Sequence, residues 1–549
     1  MKNKIITSFL IFSFIGGVVL ISQSFRVNQI PNGSTNTCLN CHNSEFGGDA
    51  RNNFGKLVES RFLSTPGSTG NVQWGPLLAS LDADNDGVTN GQELQDPYGI
   101  WTSGSPNPGS FSLVTLPGNS SSNPLSTLTI NFSGMTPHVG QTLYLRVIDK
   151  LNRKEVGRRS TTISENFSLD IDVIIQGRSY TVDFFADHNG NGFYDIPPTD
   201  HAWRMELDDA QGNDVLEFSH NTDFTDIEWS YLLTVNFIDM NPHIGQLFEF
   251  RVEDDLTSEE IGRTRIEFIP SAAFTIDIPG ILPNREYNLE FYADHNQNGV
   301  YDSPPTDHTY EMKIESGNGD TQIDIPHNTN FTDIGWKYLY TLNLLSMTPH
   351  LGQTLELRVY RSDNNEEVGR TKVSSIAGEN ISVSIPQIEI DHDYVVDFYA
   401  DHNGNGMYDA PPTDHAWRLT FNSSTGNFVQ NFSHNTNFTD IDWPTSTSVD
   451  DENITNSFVL SQNYPNPFNP STKITFTIPN VGDEYIRPLQ AKLIVYDVLG
   501  RQIKTLVNNN LASGVYEVEF NAEGLSSGIY FYKLTAGQFS ETKKMILTK

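Results

Sequence analysis

The sequence predicts a mainly β protein: a small irregular and α N-terminal module with a calcium loop, three tandem immunoglobulin-like β-sandwich repeats, and a C-terminal β-sandwich. Three observations carry this. One segment pattern recurs three times in direct succession, over Thr127 to Trp229, Ser230 to Trp336 and Lys337 to Trp443. Within each copy apolar and polar residues alternate, as in Leu143-Leu145-Val147, Phe167-Leu169-Ile171 and Tyr180-Val182-Phe184, the period of half-buried strands. About seven such strands fall in roughly 105 residues, the size of an immunoglobulin-like sandwich.

At 549 residues the chain is too long for one core. Its 34 Lys plus Arg face 68 Asp plus Glu, a formal net charge of -34. That balance repels nucleic-acid phosphates and anionic lipid, and makes cations the natural partners. The first element reads Met1, Lys2, Asn3, Lys4, an apolar run from Ile5 to Ile21, then Ser22-Gln23-Ser24. This order marks residues 1–24 as a secretory signal cut near Ser24. A retained anchor is the competing reading of the same run; after cleavage no transmembrane span is expected. With only Cys38 and Cys41 present, disulfides are no general staple, even in an oxidising compartment.

The next module spans residues 30–108. Asp82, Asp84, Asp86, Gly87, Val88, Asn90 and Glu93 occupy positions 1, 3, 5, 6, 7, 9 and 12 of an EF-hand-type calcium loop. The Asp side chains, the Val88 carbonyl, Asn90 and Glu93 would supply hard oxygen ligands, and a solvated acidic turn is the plainer alternative. No second loop pairs with it, so a single structural calcium is expected. Upstream, Cys38-Leu39-Asn40-Cys41-His42 is the C-x-x-C-H pattern of haem c attachment, with His42 on the iron; a short disulfide is the alternative. Together with Pro31-Asn32-Gly33, Gly47-Gly48, Arg51-Asn52-Asn53-Phe54-Gly55, Trp74, Gln95-Asp96-Pro97 and Trp101, this segment resembles the temptin family. The resemblance implies a small secreted fold with an ion-binding loop and a disulfide, and no catalytic activity. Its later cysteines are missing here, which puts that disulfide in doubt.

After a linker at 109–126, rich in Pro, Gly, Ser and Asn, the repeats run over 127–229, 230–336 and 337–443. Each carries M-x-P-H-x-G-Q, E-V/I-G-R, D-H-N-x-N-G-x-Y-D-x-P-P-T-D-H and H-N-T-x-F-T-D-I segments. Twelve of the 14 histidines sit at four equivalent sites: His138, His188, His201, His220; His243, His295, His308, His327; His350, His402, His415, His434. If successive strands alternate in direction, all four converge at one pole of each sandwich. Imidazoles there, with Asp200 or Asp195, would suit Cu or Zn. Histidines that merely hydrogen-bond the loops would repeat equally well. The D-x-N-x-N-G-x-x-D spacing of Asp187, Asn189, Asn191 and Asp195 also reads as a calcium turn, with copies at Asp294, Asn296, Asn298, Asp302 and at Asp401, Asn403, Asn405, Asp409.

A second linker, 444–456, leads to residues 457–549. There Asn463-Tyr464-Pro465-Asn466-Pro467-Phe468-Asn469-Pro470-Ser471-Thr472, a D-V-L-G-R turn ending at Arg501, Ser527-Gly528-Ile529-Tyr530-Phe531-Tyr532 and Lys543-Lys544-Met545-Ile546-Leu547 follow in order. This closely resembles the C-terminal sorting domain of type IX secretion substrates. The resemblance implies a β-sandwich address read by the outer-membrane translocon, and a product secreted or held on the outer cell surface.

No G-x-S-x-G, Walker or H-E-x-x-H pattern occurs, so catalysis is not the expected role. The expectation is a secreted or surface protein, binding calcium and other metals, with a structural or ligand-binding role toward an extracellular ligand or surface. An extracellular haem c redox protein, with copper in addition, is the alternative.

Overall fold

The structure, a computed structural model, describes residues 24–423, 426–443, 459–463, 465–478, 489–498, 501–511, 514–522, 524–536 and 539–548. The signal segment up to residue 23 and the linker at 444–456 lie outside the described residues.

Each repeat is a two-layer sandwich of seven strands. In the first these are β1 (Ser126–Ser133), β2 (Thr142–Asp149), β3 (Lys154–Thr162), β4 (Phe167–Ile174), β5 (Tyr180–Ala186), β6 (His201–Leu207) and β7 (Asp214–Ser219). One sheet has the order β4-β1-β7 and the other β3-β2-β5-β6, and both later repeats reproduce this. The inward positions of β1, β2 and β5 (Leu128, Ile130, Phe132, Leu143, Leu145, Val147, Val182, Phe184) form the core, as the alternation requires. The layers and strand count are those expected, while the pairing is its own. The first strand of an immunoglobulin constant domain pairs with the second; here β1 lies between β4, antiparallel, and β7, parallel. Parallel β1 and β7 end at the same pole, which is what the histidine argument needs.

The E-V/I-G-R segment has a mechanical meaning. The register between β2 and β3 slips between Val147 and Ile148, so Val156 bulges out. The bulge puts Glu155 and Arg158 side by side, joined by two bonds of 2.7 and 2.9 Å. Gly157 lies so close to β4 that a Cβ would meet Val173 Cγ1 at 2.5 Å, and Gly262 and Gly369 meet Ile278 and Ile385 in the same way. Held flat by Glu155, the Arg158 guanidinium lies 4.9 Å from the centroid of the Trp229 ring, and Arg146 lies 5.1 Å from it. Arg251 and Arg263 over Trp336, and Arg358 and Arg370 over Trp443, repeat the arrangement. Each closing tryptophan is thus fixed by cation–π contacts to its own repeat.

The same arginine holds the following repeat. Arg158 donates to the Ser230 carbonyl at 2.9 Å, and Arg263 to that of Lys337 at 2.8 Å. The Tyr231 hydroxyl accepts the backbone N–H of Tyr194 at 3.0 Å, and the Tyr338 hydroxyl that of Tyr301 at 2.7 Å. Phe185, Ala202, Ile227 and Trp229 consequently join the core of repeat 2, and Tyr292, Ile334 and Trp336 that of repeat 3. Their counterparts Tyr399, Ala416, Ile441 and Trp443 form a small cluster of their own.

In the N-terminal module, helix Asn53–Arg61 buries Phe54, Leu57 and Val58 against Leu78, Leu81 and Leu94. Its cap, Asn52, accepts from Gly55 N–H at 2.9 Å and donates to the carbonyls of Leu39 and Asn40. The module rests on repeat 2 through an ion pair between Arg61 and the buried Glu267, and through Lys56 over Phe268. The C-terminal domain again has two sheets, built on strands Val459–Leu460, Ser471–Ile478 and Gly514–Asn521 in one, and Leu489–Asp497, Gln502–Leu511, Gly528–Ala536 and Phe539–Leu547 in the other. Phe468 exchanges backbone bonds with the terminal strand, its N–H to Ile546 and its carbonyl to Thr548, both at 2.9 Å. Arg501 donates its backbone N–H and its Nε–H to the Asp497 carboxylate at 2.9 and 2.7 Å. Among the described residues no helix is long and apolar enough to cross a membrane.

Replacing Trp336 by Ala is expected to cost about 3–5 kcal/mol, the range for a large buried aromatic. Tyr338→Phe, which removes only one junction hydrogen bond, is expected to cost about 1 kcal/mol. In calorimetry both should separate the unfolding of repeat 2 from that of repeat 3; one unshifted transition would mean the junction carries no coupling.

Candidate metal centres

The loop Asp82–Glu93 gathers acidic oxygens in a tight turn. Asn85 N–H and Gly87 N–H donate to the two Asp82 oxygens at 2.7 and 2.9 Å, and Val88 N–H to Asp86 Oδ1 at 2.9 Å. Gly87 takes φ +89°, the left-handed conformation that turns the chain inward. Oxygens of Asp82, Asp84 and Asp86 lie within 4.8 Å of one another. The short helix Asn90–Glu93, closed by a Thr89–Gln92 capping box, brings up Asn90 and Glu93, both fully buried. Five sealed oxygens have no hydrogen-bond donor: both of Asp84, Asp86 Oδ2, Asn90 Oδ1 and Glu93 Oε2. Burial and the neighbouring carboxylates push Asp82 up to about 6, Asp84 to about 7 and Glu93 to about 10.

The four histidines of each repeat do meet at one pole. His138 and its counterparts His243 and His350 are fully buried in the turn after the first strand. His201 opens β6, as His308 and His415 open the equivalent strands, and His220, His327 and His434 follow the seventh strand. His188, His295 and His402 stand exposed at the mouth. His201 is stacked between His188, centroids 4.5 Å apart, and Phe224, at 4.0 Å. Repeats 2 and 3 stack His308 between His295 and Phe331, and His415 between His402 and Phe438. Burial pushes His201, His308 and His415 down to about 4, so these rings are neutral near pH 7.

Neither of the carboxylates expected beside them joins the imidazoles. Asp200 spends both oxygens on the N–H groups of His188 and Asp195, at 2.9 and 2.8 Å. Asp195 Oδ2 accepts the side-chain amides of Asn189 and Asn191, both at 2.7 Å, and Asp187 accepts the N–H groups of Gly190, Asn191 and Gly192. Asp302 with Asn296 and Asn298, and Asp409 with Asn403 and Asn405, do the same, below Asp294 and Asp401. These loops satisfy their own carboxylates, unlike Asp82–Glu93. The two asparagines aim nitrogen, not oxygen, at the acid, because their oxygens already take backbone N–H groups.

Cys38 and Cys41 are both thiols, with no bond between them. Burial pushes Cys41 up to about 12, into the unreactive range. His42 Nδ1 faces Asp49, 3.2 Å from its carbonyl and 3.4 Å from its carboxylate. Sequence reasoning missed two participants at the poles. Gln141, Gln246 and Gln353 bond the buried histidines at 2.8–2.9 Å, and Phe224, Phe331 and Phe438 cover the stacks. Both recur in the repeat motifs, the Gln closing M-x-P-H-x-G-Q and the Phe inside H-N-T-x-F-T-D-I, which was the available signal.

Residues 462–548 match the family of the secretion system C-terminal sorting domain, and residues 20–119 match the temptin C-terminal family. The chain therefore carries a type IX sorting signal and is exported to the cell surface or beyond it. No curated protein matches it. Among solved structures, the Bacillus anthracis TIE protein is 11% identical, with 74% of this chain and 66% of that one covered, at a TM-score of 0.14. A tetra-tandem repeat from the extending region of a large adhesion protein is 11% identical over 77% of this chain and 100% of that one, TM-score 0.14. The fimbrial anchor protein Mfa2 from Porphyromonas gingivalis is 12% identical over 38% and 92%, TM-score 0.14.

The loop carboxylates give calcium-free protein a definite pH dependence. The folded pKa values of Asp82 and Asp84 lie above the unfolded ones of about 4, so their contribution is full below about pH 4 and is lost as pH rises through about 6 to 7, and Glu93, raised to about 10, extends the loss to higher pH. The melting temperature of the N-terminal module in calcium-free buffer should fall from pH 5 to pH 8, and Asp84→Asn should flatten the slope. A melting temperature that rises over this range would contradict the arrangement.

Proposed function

We propose that this exported chain is a structural and ligand-binding protein of the cell surface or surroundings, whose N-terminal module is completed by one calcium ion. The observation that supports it is the set of five sealed, donorless oxygens in Asp82–Glu93, where the carboxylates of Asp82, Asp84 and Asp86 lie within 4.8 Å of one another. Buried acceptors without partners are rare in folded proteins, and an ion is one of the few things that satisfies several at once. An all-oxygen set with a bidentate position at Glu93 suits calcium rather than a softer ion. With Ca²⁺ in place the repulsion among four acids becomes attraction, and the loop ties helix Pro76–Ser80 to helix Asn90–Glu93. The three joined sandwiches then act as a stiff arm that repeats one pole three times, an arrangement that favours avidity toward an extended ligand or surface.

Titration calorimetry on metal-stripped mature protein tests this. One Ca²⁺ per chain should bind at the loop, raise the melting temperature of the module, and be lost in Glu93→Gln. An absorption spectrum of the same sample reads the haem alternative directly: a Soret band would replace the structural reading with electron transfer, and absence of loop-dependent calcium binding would remove it.

A further inference from the structure

Each histidine pole has its protons already arranged. His243 Nδ1 lies 2.8 Å from Gln246 Oε1, and Gln246 Nε2 reaches the Pro242 carbonyl at 3.4 Å. That carbonyl can only accept, which fixes the amide's orientation and puts the proton of His243 on Nδ1. Its Nε2 is therefore bare. Gln141 and Gln353 hold His138 and His350 in the same way, and each turns its amide N–H toward Nδ1 of His188 or His402, at 3.0 and 3.1 Å.

The bare nitrogen faces two others. His138 Nε2 lies 3.2 Å from His220 Nε2 and 3.3 Å from His201 Nδ1. The matching separations are 3.4 Å from His308 to His243 and 3.5 Å from His415 to His350. Nε2 of both His327 and His434 is sealed from solvent with no hydrogen-bond partner. One lone pair serves one N–H donor well, so three neutral imidazoles crowded together leave nitrogen capacity unused.

The spacing suits a tetrahedral ion. Zn–N bonds of 2.0–2.1 Å arranged tetrahedrally put ligand nitrogens about 3.3–3.4 Å apart, whereas a square-planar ion with similar bonds puts neighbouring nitrogens about 2.9 Å apart. We propose that His138 Nε2, His201 Nδ1 and His220 Nε2 form a three-imidazole Zn²⁺ site, repeated at His243, His308 and His327 and at His350, His415 and His434. The fourth position faces the mouth and is left to water or an external ligand. His188, parallel to His201 and bonded through Gln141, also has a nitrogen within 4.8 Å of those of His138 and His201, as His402 has in repeat 3, and stands exposed beside the fourth position. The three sites stand independently of the calcium loop.

The test uses the mature chain without a histidine tag, metal-stripped and then saturated with Ca²⁺. Zn²⁺ titration with elemental analysis should give three zinc per chain, and Co²⁺ in its place should give the intense visible bands of tetrahedral nitrogen coordination. His138 and its copies are core residues, so the variants of choice are the half-buried His220→Ala, His327→Ala and His434→Ala. Each should remove one zinc while leaving calcium binding and circular dichroism unchanged, and the triple variant should bind none. No stoichiometric zinc, zinc retained in the triple variant, or a weak octahedral cobalt spectrum would each overturn the assignment.

Discussion

The architecture of the array depends on one contact, the tryptophan that ends each repeat lying beneath two guanidinium groups of the same repeat. A cation over an indole is worth about 2 kcal/mol when desolvated, enough to fix where a strandless segment lies. Glu155 keeps Arg158 flat, and the buried Asp183 holds Arg146 from the other side. Such buried pairs add little net stability, so their value is orientation. Once Trp229 is set, the segment from His220 to Trp229 is drawn along the β3-β2-β5-β6 sheet, Thr225 N–H donating to the Ala202 carbonyl. Phe224 then covers His201, and Ser230 is delivered to Arg158. Pole, outer surface and junction are consequences of a single placement.

Much of this was legible in the sequence because it follows from parity. Alternation identified the strands, and alternating strand direction placed four distant histidines at one end. What stayed hidden depends on partners far apart in the chain. Arg146 and Trp229 carry no local sign of each other, and nothing in the strand pattern says that the first strand sits between the fourth and seventh. The orientation of the asparagines of Asp187–Asp195 was hidden for a different reason. An amide has an oxygen and a nitrogen, and only the turn's backbone decides which faces Asp195. In Asp82–Glu93 the same positions hold Asp84 and Asp86, whose side chains carry oxygen alone, so no such ambiguity arises there.

The two kinds of candidate centre are chemically orthogonal. The loop presents carboxylate and amide oxygens, hard donors that prefer a large spherical ion; the poles present imidazole nitrogens, which prefer a borderline one. An exported protein meets a medium it does not control, and donor sets this different do not compete for the same ion. The acidity of the chain, a net charge of -34, concentrates cations of either kind around it.

The small cluster of Tyr399, Ala416, Ile441 and Trp443 shows what the clamp means for ancestry. The third repeat retains the complete closing device, guanidiniums included, although no fourth copy of the repeat follows it. A unit that seals itself before it meets its successor can be duplicated or deleted at the level of the gene with no compensating change elsewhere. The number of sandwiches in such a protein is therefore free to drift, and the length of the array can be tuned by copy number alone.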